Sequence, residues 1–261
     1  MDLLQKNLQR HGKSKNNKNI KTLTYDLYGV KGNIMKLSVL IPVYNEVHTI
    51  KCLIDAVGAV SVEKQVILVD DCSTDGTREL LKRDYGNSKG DIRVVYHEKN
   101  LGKGSAIKTA LGYAKGDYAI IQDGDFEYDP NDYIKLLEAA EENKYDTVYG
   151  SRFLKTWRST SLPHFLVNKF LTIITNILFG SRLTDMETCY KMLRTDLFRG
   201  LDLQSERFEI EPEITAKLLK RGHKIIEVPI SYKGRSYHDG KKITWTDGVV
   251  TLWTLIRWRF S

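Results

Sequence analysis

From Leu37 onward, hydrophobic runs of strand length alternate with segments of helical spacing. LSVLIPVYN reads as a first buried strand closing on Pro42, and Glu46 to Val60 has the spacing of a helix. QVILVDD reads as a second strand, Thr74 to Tyr85 as a helix and DIRVVYHE as a third strand. A helix over Lys103 to Ala114, a strand over Tyr118 to Ile121, a helix over Asp129 to Glu142 and the strand TVYGSRF continue the alternation. Repeated βα units predict an α/β fold, a mainly parallel nucleotide-binding sheet flanked by helices.

The pattern changes in the second half. LPHFLVNKFLTIITNILF, Leu162 to Phe179, carries many large apolar residues and few charges. It predicts a helix in the core or at a membrane interface, with Phe165, Phe170 or Phe179 turned to lipid in the second case. Arg182 to Leu193 follows, then a helix from Glu211 to Arg221, the strand KIIEVPISY, the polar stretch GRSYHDGKK and a terminal amphipathic helix, TDGVVTLWTLIRWRF. Trp253, Trp258, Arg257 and Arg259 suit a helix at a membrane interface, and equally one docked on the domain surface. The expected organisation is a disordered basic leader over 1–34, rich in Lys, Asn and Gln, a folded domain over 35–243 and the C-terminal helix over 244–261.

Charge changes this picture more than composition does. The net charge of +7 divides into +6 over residues 1–36, +7 over 217–261 and −6 in between. An acidic centre with basic ends excludes a uniformly basic nucleic-acid binder. It suits carboxylates holding a cation centrally, with Lys and Arg meeting phosphates or an anionic membrane. Three cysteines, Cys52, Cys72 and Cys189, show no metal or disulfide spacing and point to a reducing cytosolic setting. No apolar run reaches the roughly 18 residues of a membrane span, and the N-terminus lacks the apolar core of a signal peptide. A soluble or peripheral protein is expected.

The candidate chemistry lies where strands end. Tyr118 to Ile121 runs into Asp123-Gly124-Asp125 and then Glu127. Alternate side chains of an extended segment share a direction, so Asp123, Asp125 and Glu127 could converge on one hard divalent cation; an acidic turn leading into a helix at Asp129-Pro130 is the alternative. Pro42-Val43-Tyr44-Asn45-Glu46 and Asp70-Asp71-Cys72-Ser73-Thr74-Asp75 follow the first two strands at the same sheet edge, where such folds bind nucleotides. Asp71 is assigned to ligand contact and Asp75 to helix capping. Asn100-Leu101-Gly102-Lys103-Gly104 has the flavour of a phosphate loop but lacks the full ATPase pattern, and no dinucleotide fingerprint follows the first strand. Among Glu209, Glu211 and Glu213, the last suits a first helical turn, while Glu209 or Glu211 could orient a sugar or an arginine. His164, His223 and His238 are scattered and carry no assigned role.

IPVYNE, VDDCSTDGT, NLGKGSAIKTAL, QDGDFEYDP and GSRF stand in the order and spacing of inverting family 2 glycosyltransferases of the GT-A fold. Over about Leu37 to Ile243 the chain resembles dolichol-phosphate mannose synthases and related polyprenyl-phosphate glycosyltransferases. The resemblance implies a GT-A sheet with C-terminal amphipathic helical segments. It implies transfer of a hexose, from GDP-mannose or UDP-glucose, to a dolichyl or undecaprenyl phosphate at the cytoplasmic membrane face. It further implies nucleotide contacts by Pro42, Tyr44, Glu46, Val69, Asp71, Lys103 and Gly124, and Mg2+ or Mn2+ on Asp123 and Asp125, with Glu127 where Gln is common. Arg152 would approach the acceptor phosphate, Arg235 and Lys241 the donor phosphates, and Asp125, Arg152, Arg235 and Lys241 would form the catalytic set. The chain departs from the family pattern at Asp185-Met186-Glu187-Thr188-Cys189-Tyr190-Lys191, and the membrane spans of some members are missing, which leaves room for a membrane-anchoring partner subunit. Two alternatives remain: a same-fold enzyme acting on a saccharide or protein hydroxyl, and a non-catalytic sugar-nucleotide binder.

Overall fold

A computed structural model describes residues 36–154, 162–234 and 245–261. The expected leader, and with it any structural account of 1–34, lies outside the described residues, as do Arg235 and Lys241.

The buried runs form the strands. In chain order the elements are β1 (Leu37–Val43), α1 (Ile50–Ala59), β2 (Lys64–Asp70), α2 (Thr77–Tyr85), β3 (Ser88–Lys89), β4 (Ile92–Tyr96), α3 (Lys103–Tyr113) and β5 (Tyr118–Ile121). A short 3-10 turn (Pro130–Asp132) leads into α4 (Tyr133–Asn143), then β6 (Thr147–Ser151), α5 (Leu162–Phe179), β7 (Lys191–Arg194), α6 (Thr195–Gly200), α7 (Ile210–Lys220), β8 (Ile226–Pro229) and α8 (Trp245–Phe260). The strands join in one sheet of order β3-β4-β2-β1-β5-β7-β6-β8. β1 pairs in parallel with β2 and β5, and β2 with β4. Val43 stands opposite Asp70 and Asp70 opposite Tyr96, so their loops leave the sheet at one level. β5 is buried throughout, as a strand covered on both faces must be.

β7 is the unforeseen strand. It runs antiparallel to β5 and β6, placing Lys191 opposite Tyr149 and Met192 opposite Ile120. Its reversal brings the segment before it, Asp185 to Tyr190, to the edge where β1, β2, β5 and β6 end. Four residues are too few to carry a periodic signal, which is why the pattern of the chain does not reveal it.

A second, smaller core of Leu171, Leu183, Met186, Ala216 and Leu255 ties α5, α7 and α8 together. α5 is 18 residues long and, by length and composition, apolar enough to cross a membrane, which corrects the expectation that no segment reaches that length. It buries Leu171, Thr172 and Thr175 and exposes Leu162, Leu166, Phe170, Ile173 and Ile177, a stripe at helical spacing. Phe170 is thus outward, whereas Phe165 packs edge-on against Phe153 and Phe179 lies against the second core. On α8, Trp253 and Phe260 are exposed, but Trp258 turns inward, with the Lys217 ammonium 4.0 Å from its ring centroid.

Candidate active site

A cleft of about 620 Å3 opens at the carboxyl edge of the sheet, within the range of small-ligand sites. Pro42, Tyr44, Glu46, Asp71, Lys103, Asp123, Gly124, Asp125, Glu127 and Arg152 all line it. Val69 does not: it is fully buried in β2, one layer below the edge, which corrects any expectation of a nucleotide contact through its side chain. It shares a face with Asp71 by strand alternation, but packing in the sheet interior keeps it from the opening.

The first wall is built by carboxylates that organise backbone. Asp71 accepts from Leu101 N at 2.9 Å and Gly102 N at 2.7 Å, and its Oδ1 lies 2.7 Å from His97 Nδ1. His97 Nε2 in turn lies 3.0 Å from Thr109 Oγ1. The Asn100–Gly104 loop therefore gives two of its amides to Asp71 instead of cradling a phosphate. Gly102, with φ of 93 degrees, adopts a conformation that L side chains rarely take. A Cβ there would stand 2.4 Å from Glu206 O, so glycine is needed for the close approach of residues 205–207 to the start of α3. Asp75 accepts from Thr77 N at 3.0 Å and Val47 N at 3.1 Å, tying α2 to the β1 loop. Glu46 accepts from Thr49 Oγ1 at 2.8 Å, and that hydroxyl also lies 3.0 Å from Gly124 O.

At the end of β5 the backbone turns at Gly124-Asp125, and Phe126 has φ of 61 degrees. The extended geometry that would align three carboxylates stops there. Glu127 instead accepts from Tyr232 Oη at 2.6 Å, and Asp125 accepts from Glu127 N at 3.1 Å. Among the described residues no three His, Cys, Asp or Glu side chains form one metal-holding group, so Asp123, Asp125 and Glu127 do not make a three-ligand set. Asp123 and Asp125 remain a fitting pair for a hard cation, because such ions commonly take one or two carboxylates and complete their shell with substrate phosphates.

The second wall is built on buried charge. Lys103 Nζ lies 2.7 Å from Asp123 Oδ1 and 3.0 Å from Glu211 Oε1. Burial works against the Lys103 charge, but Asp123 and Glu211 outweigh it and hold the ammonium well above the ordinary lysine range. Glu211 Oε2 lies 3.0 Å from Nζ of Lys191, which is fully buried and donates to Met186 O at 2.8 Å and Thr188 O at 2.6 Å. Glu211 thus orients two lysines. Glu213 accepts from Gln204 N, Ser205 N and Lys217 Nζ, and Glu209 accepts from Arg207 N at 3.3 Å, both supporting the loop before α7.

Arg152, at the end of β6, is gripped by Asp185, with Nε to Oδ2 and Nη2 to Oδ1 both at 2.7 Å. Burial opposes its charge, and Asp185 more than restores it. Asp185 is itself set by the Glu227 carboxylate, which accepts from Asp185 N at 2.9 Å and Thr184 N at 2.7 Å. Between these groups Glu187 lines the cleft, and burial pushes its carboxyl up to about 7. His97, Asp185, Glu187 and Lys191 were not singled out as site residues by sequence; the last three needed β7, and the one available signal was the charged run in DMETCYK.

Comparison with known proteins agrees with this geometry. Residues 38–201 match the family Glycosyl transferase family 2. A dolichol-phosphate mannosyltransferase of Pyrococcus furiosus is 29% identical over 80% of this chain, which spans only 61% of that protein. An undecaprenyl-phosphate mannosyltransferase of Micrococcus luteus is 27% identical over 79% of this chain and 87% of its own length. Glucosyl-3-phosphoglycerate synthase of Mycobacterium tuberculosis, solved with Mn2+, UDP-glucose and phosphoglyceric acid, shares the fold with a TM-score of 0.64 at 19% identity, covering 87% of this chain and 80% of that one. With a mainly parallel sheet, a cleft at its carboxyl edge and this family match over most of the chain, the protein belongs to glycosyl transferase family 2 and is a glycosyltransferase of the GT-A fold.

Proposed function

We propose that the enzyme moves a hexose, with inversion, from a nucleoside-diphosphate sugar, GDP-mannose or UDP-glucose, to a polyprenyl phosphate. The observation that carries this reading is the continuity of the cleft with the apolar helices. Val167 and Leu171 of α5 and Gly248 and Thr251 of α8 line the same cavity as Asp123 and Arg152. A charged pocket that opens beside two exposed apolar stripes suits an acceptor with a phosphate head and a hydrocarbon tail. The Pyrococcus and Micrococcus relatives bear the names of enzymes with acceptors of this class. The cytoplasmic membrane face is the corresponding location, with α5 and α8 lying against lipid.

In this reading Asp123 and Asp125 hold Mg2+ or Mn2+, which when bound neutralises charge developing on the leaving diphosphate. Pro42, Tyr44 and Glu46 border the nucleotide, Asp71 shapes its pocket through the α3 loop, and Lys103 adds positive charge beside Asp123. Arg235 and Lys241, outside the described residues, are assigned to the donor phosphates. Arg152, pre-set by Asp185, meets the acceptor phosphate, reducing repulsion between two anions and orienting the attack. A phosphate monoester with a second pKa of about 6 is largely ionised at neutral pH and requires no strong base. A single displacement converts an α-linked donor into a β-linked product.

The test is a screen of sugar nucleotides with short polyprenyl phosphates and Mn2+. One donor is expected to yield a lipid-linked sugar, and Asp125→Ala to lose at least about a hundredfold in turnover, the scale of removing one transition-state charge stabiliser. No lipid-linked product from any donor would overturn the function; a fully active Asp125→Ala would overturn the metal assignment.

A further inference from the structure

Every other carboxylate described above along the cleft has a partner. Asp71 has amides and His97, Asp123 has Lys103, Glu127 has Tyr232, and Glu211 has two lysines. Glu187 differs: like both oxygens of Glu211, its Oε1 is shielded from solvent and makes no hydrogen bond among the described residues, but Glu211 has its two lysines beside it. No ion pair involves Glu187 there either. A buried polar atom left unpaired costs stability, so one on a residue that lines a cavity points to a ligand group that satisfies it.

The position narrows the class of that group. Glu187 comes two residues after Asp185, which grips Arg152, and stands between Met186 and Thr188, whose carbonyls bind Lys191. Lys191 is linked through Glu211 and Lys103 to Asp123, the proposed seat of the donor diphosphate, and Arg152 is the proposed seat of the acceptor phosphate. What lies between two phosphates during glycosyl transfer is the sugar. A carboxylate without its own counter-cation repels phosphate but accepts hydrogen bonds from hydroxyls. Burial holds the Glu187 carboxyl near neutrality, so it can also donate to a hydroxyl oxygen. Lys191 anchors the segment by binding Met186 O and Thr188 O on either side of it.

We propose that Glu187 reads a ring hydroxyl of the sugar being transferred and thereby sets which hexose the enzyme accepts. This rests on the sugar-nucleotide reading of the cleft. It extends that reading from the nucleotide and the two phosphates to the hexose itself.

The experiment is a calorimetric binding cycle without acceptor. Parent, Glu187→Gln and Glu187→Ala are titrated, in Mn2+, with GDP, UDP, GDP-mannose, UDP-glucose and singly deoxygenated analogues of the two sugars. The parent is expected to bind one sugar nucleotide better than its bare diphosphate and to lose about tenfold or more for one deoxy analogue, because a site built to bond a hydroxyl rejects the analogue lacking it. In Glu187→Ala that analogue and the full sugar should bind within about threefold of each other, with binding of the bare diphosphate unchanged. Equal discrimination among analogues in parent and Glu187→Ala would overturn the inference. So would unchanged sugar-nucleotide affinity in Glu187→Ala together with lost turnover in a parallel transfer assay with acceptor, which would mark a base acting on the acceptor. Glu187→Gln should melt at or above the parent temperature; a marked drop would assign Glu187 to the fold and also overturn the inference. Absence of transfer to any lipid phosphate, with the binding cycle intact, would sink the proposed reaction while supporting the sugar reader.

Discussion

The two walls of the cleft solve the same problem in opposite ways. On the β1–β2 wall, Asp71 and Asp75 spend their oxygens on backbone amides and on neighbouring hydroxyl or imidazole groups. On the β6–β7 wall, Asp185, Glu211, Arg152 and Lys191 are buried charges held chiefly by one another. Carboxylates that cap amides keep loops in shape at modest net gain, whereas buried ion pairs are costly to assemble and far costlier to leave half made. The first wall is a frame for loops. The second concentrates buried charge beside the cleft.

Removing one member of the charged wall should have the largest effect on stability. Glu211→Ala leaves Lys103 and Lys191 without their shared partner and is expected to cost about 3–5 kcal/mol in urea unfolding. Asp71→Ala is the matched change on the other wall. It strands the Leu101 and Gly102 amides and should cost about 1–3 kcal/mol, because water can reach part of that loop. If the two losses were equal, the distinction between the walls would fail.

Glu187→Gln goes the other way, with an expected gain on the order of 1 kcal/mol at neutral pH. Its sign follows from a folded carboxyl raised from about 4.5 to about 7. Below about pH 4.5 both folded and unfolded forms are protonated; as pH rises to about 7 the unfolded chain releases the proton more readily and the parent loses stability. Urea unfolding of Glu187→Gln across that window should show a flatter profile than the parent, and parallel profiles would refute the raised carboxyl.

The smallest effect on folding is expected outside both walls. Trp253 on α8 is 65% exposed, so Trp253→Ala should change unfolding free energy by no more than about 0.5 kcal/mol. Flotation with anionic vesicles should nevertheless show binding weakened by about tenfold, as for loss of a large apolar contact with lipid. Unaltered vesicle binding would remove α8 from the membrane-facing surface.

The parallel half was readable because long apolar runs end in short polar clusters at one edge. Asp71, Asp123 and Asp125 follow such runs directly, and their place in the cleft follows from strand direction alone. Glu127 is bonded to Tyr232 after a turn that alternation along an extended strand does not foresee, and the side chain of Val69 lies below the edge because strand direction gives a face but no depth. The charged wall was hidden for a different reason. Lys191 looks like a surface residue until β7 is known to lie inside the sheet, where tertiary pairing with Glu211 and the carbonyls of Met186 and Thr188 make its burial tolerable. His97 likewise closes a strand as an ordinary polar residue, and its link from Asp71 to Thr109 exists only once α3 is packed beside β2.

The reversed course of β7 has a bearing on how such an enzyme can diversify. Its approach segment, Asp185 to Tyr190, reaches the catalytic edge from a chain region separate from the loops after β1 and β2. Exchange of those few residues alters one side of the cavity while the loops on the other keep their own bonding. If Glu187 reads the sugar as proposed, choice of sugar can drift apart from nucleotide recognition, as an interchangeable insert in a fixed mount.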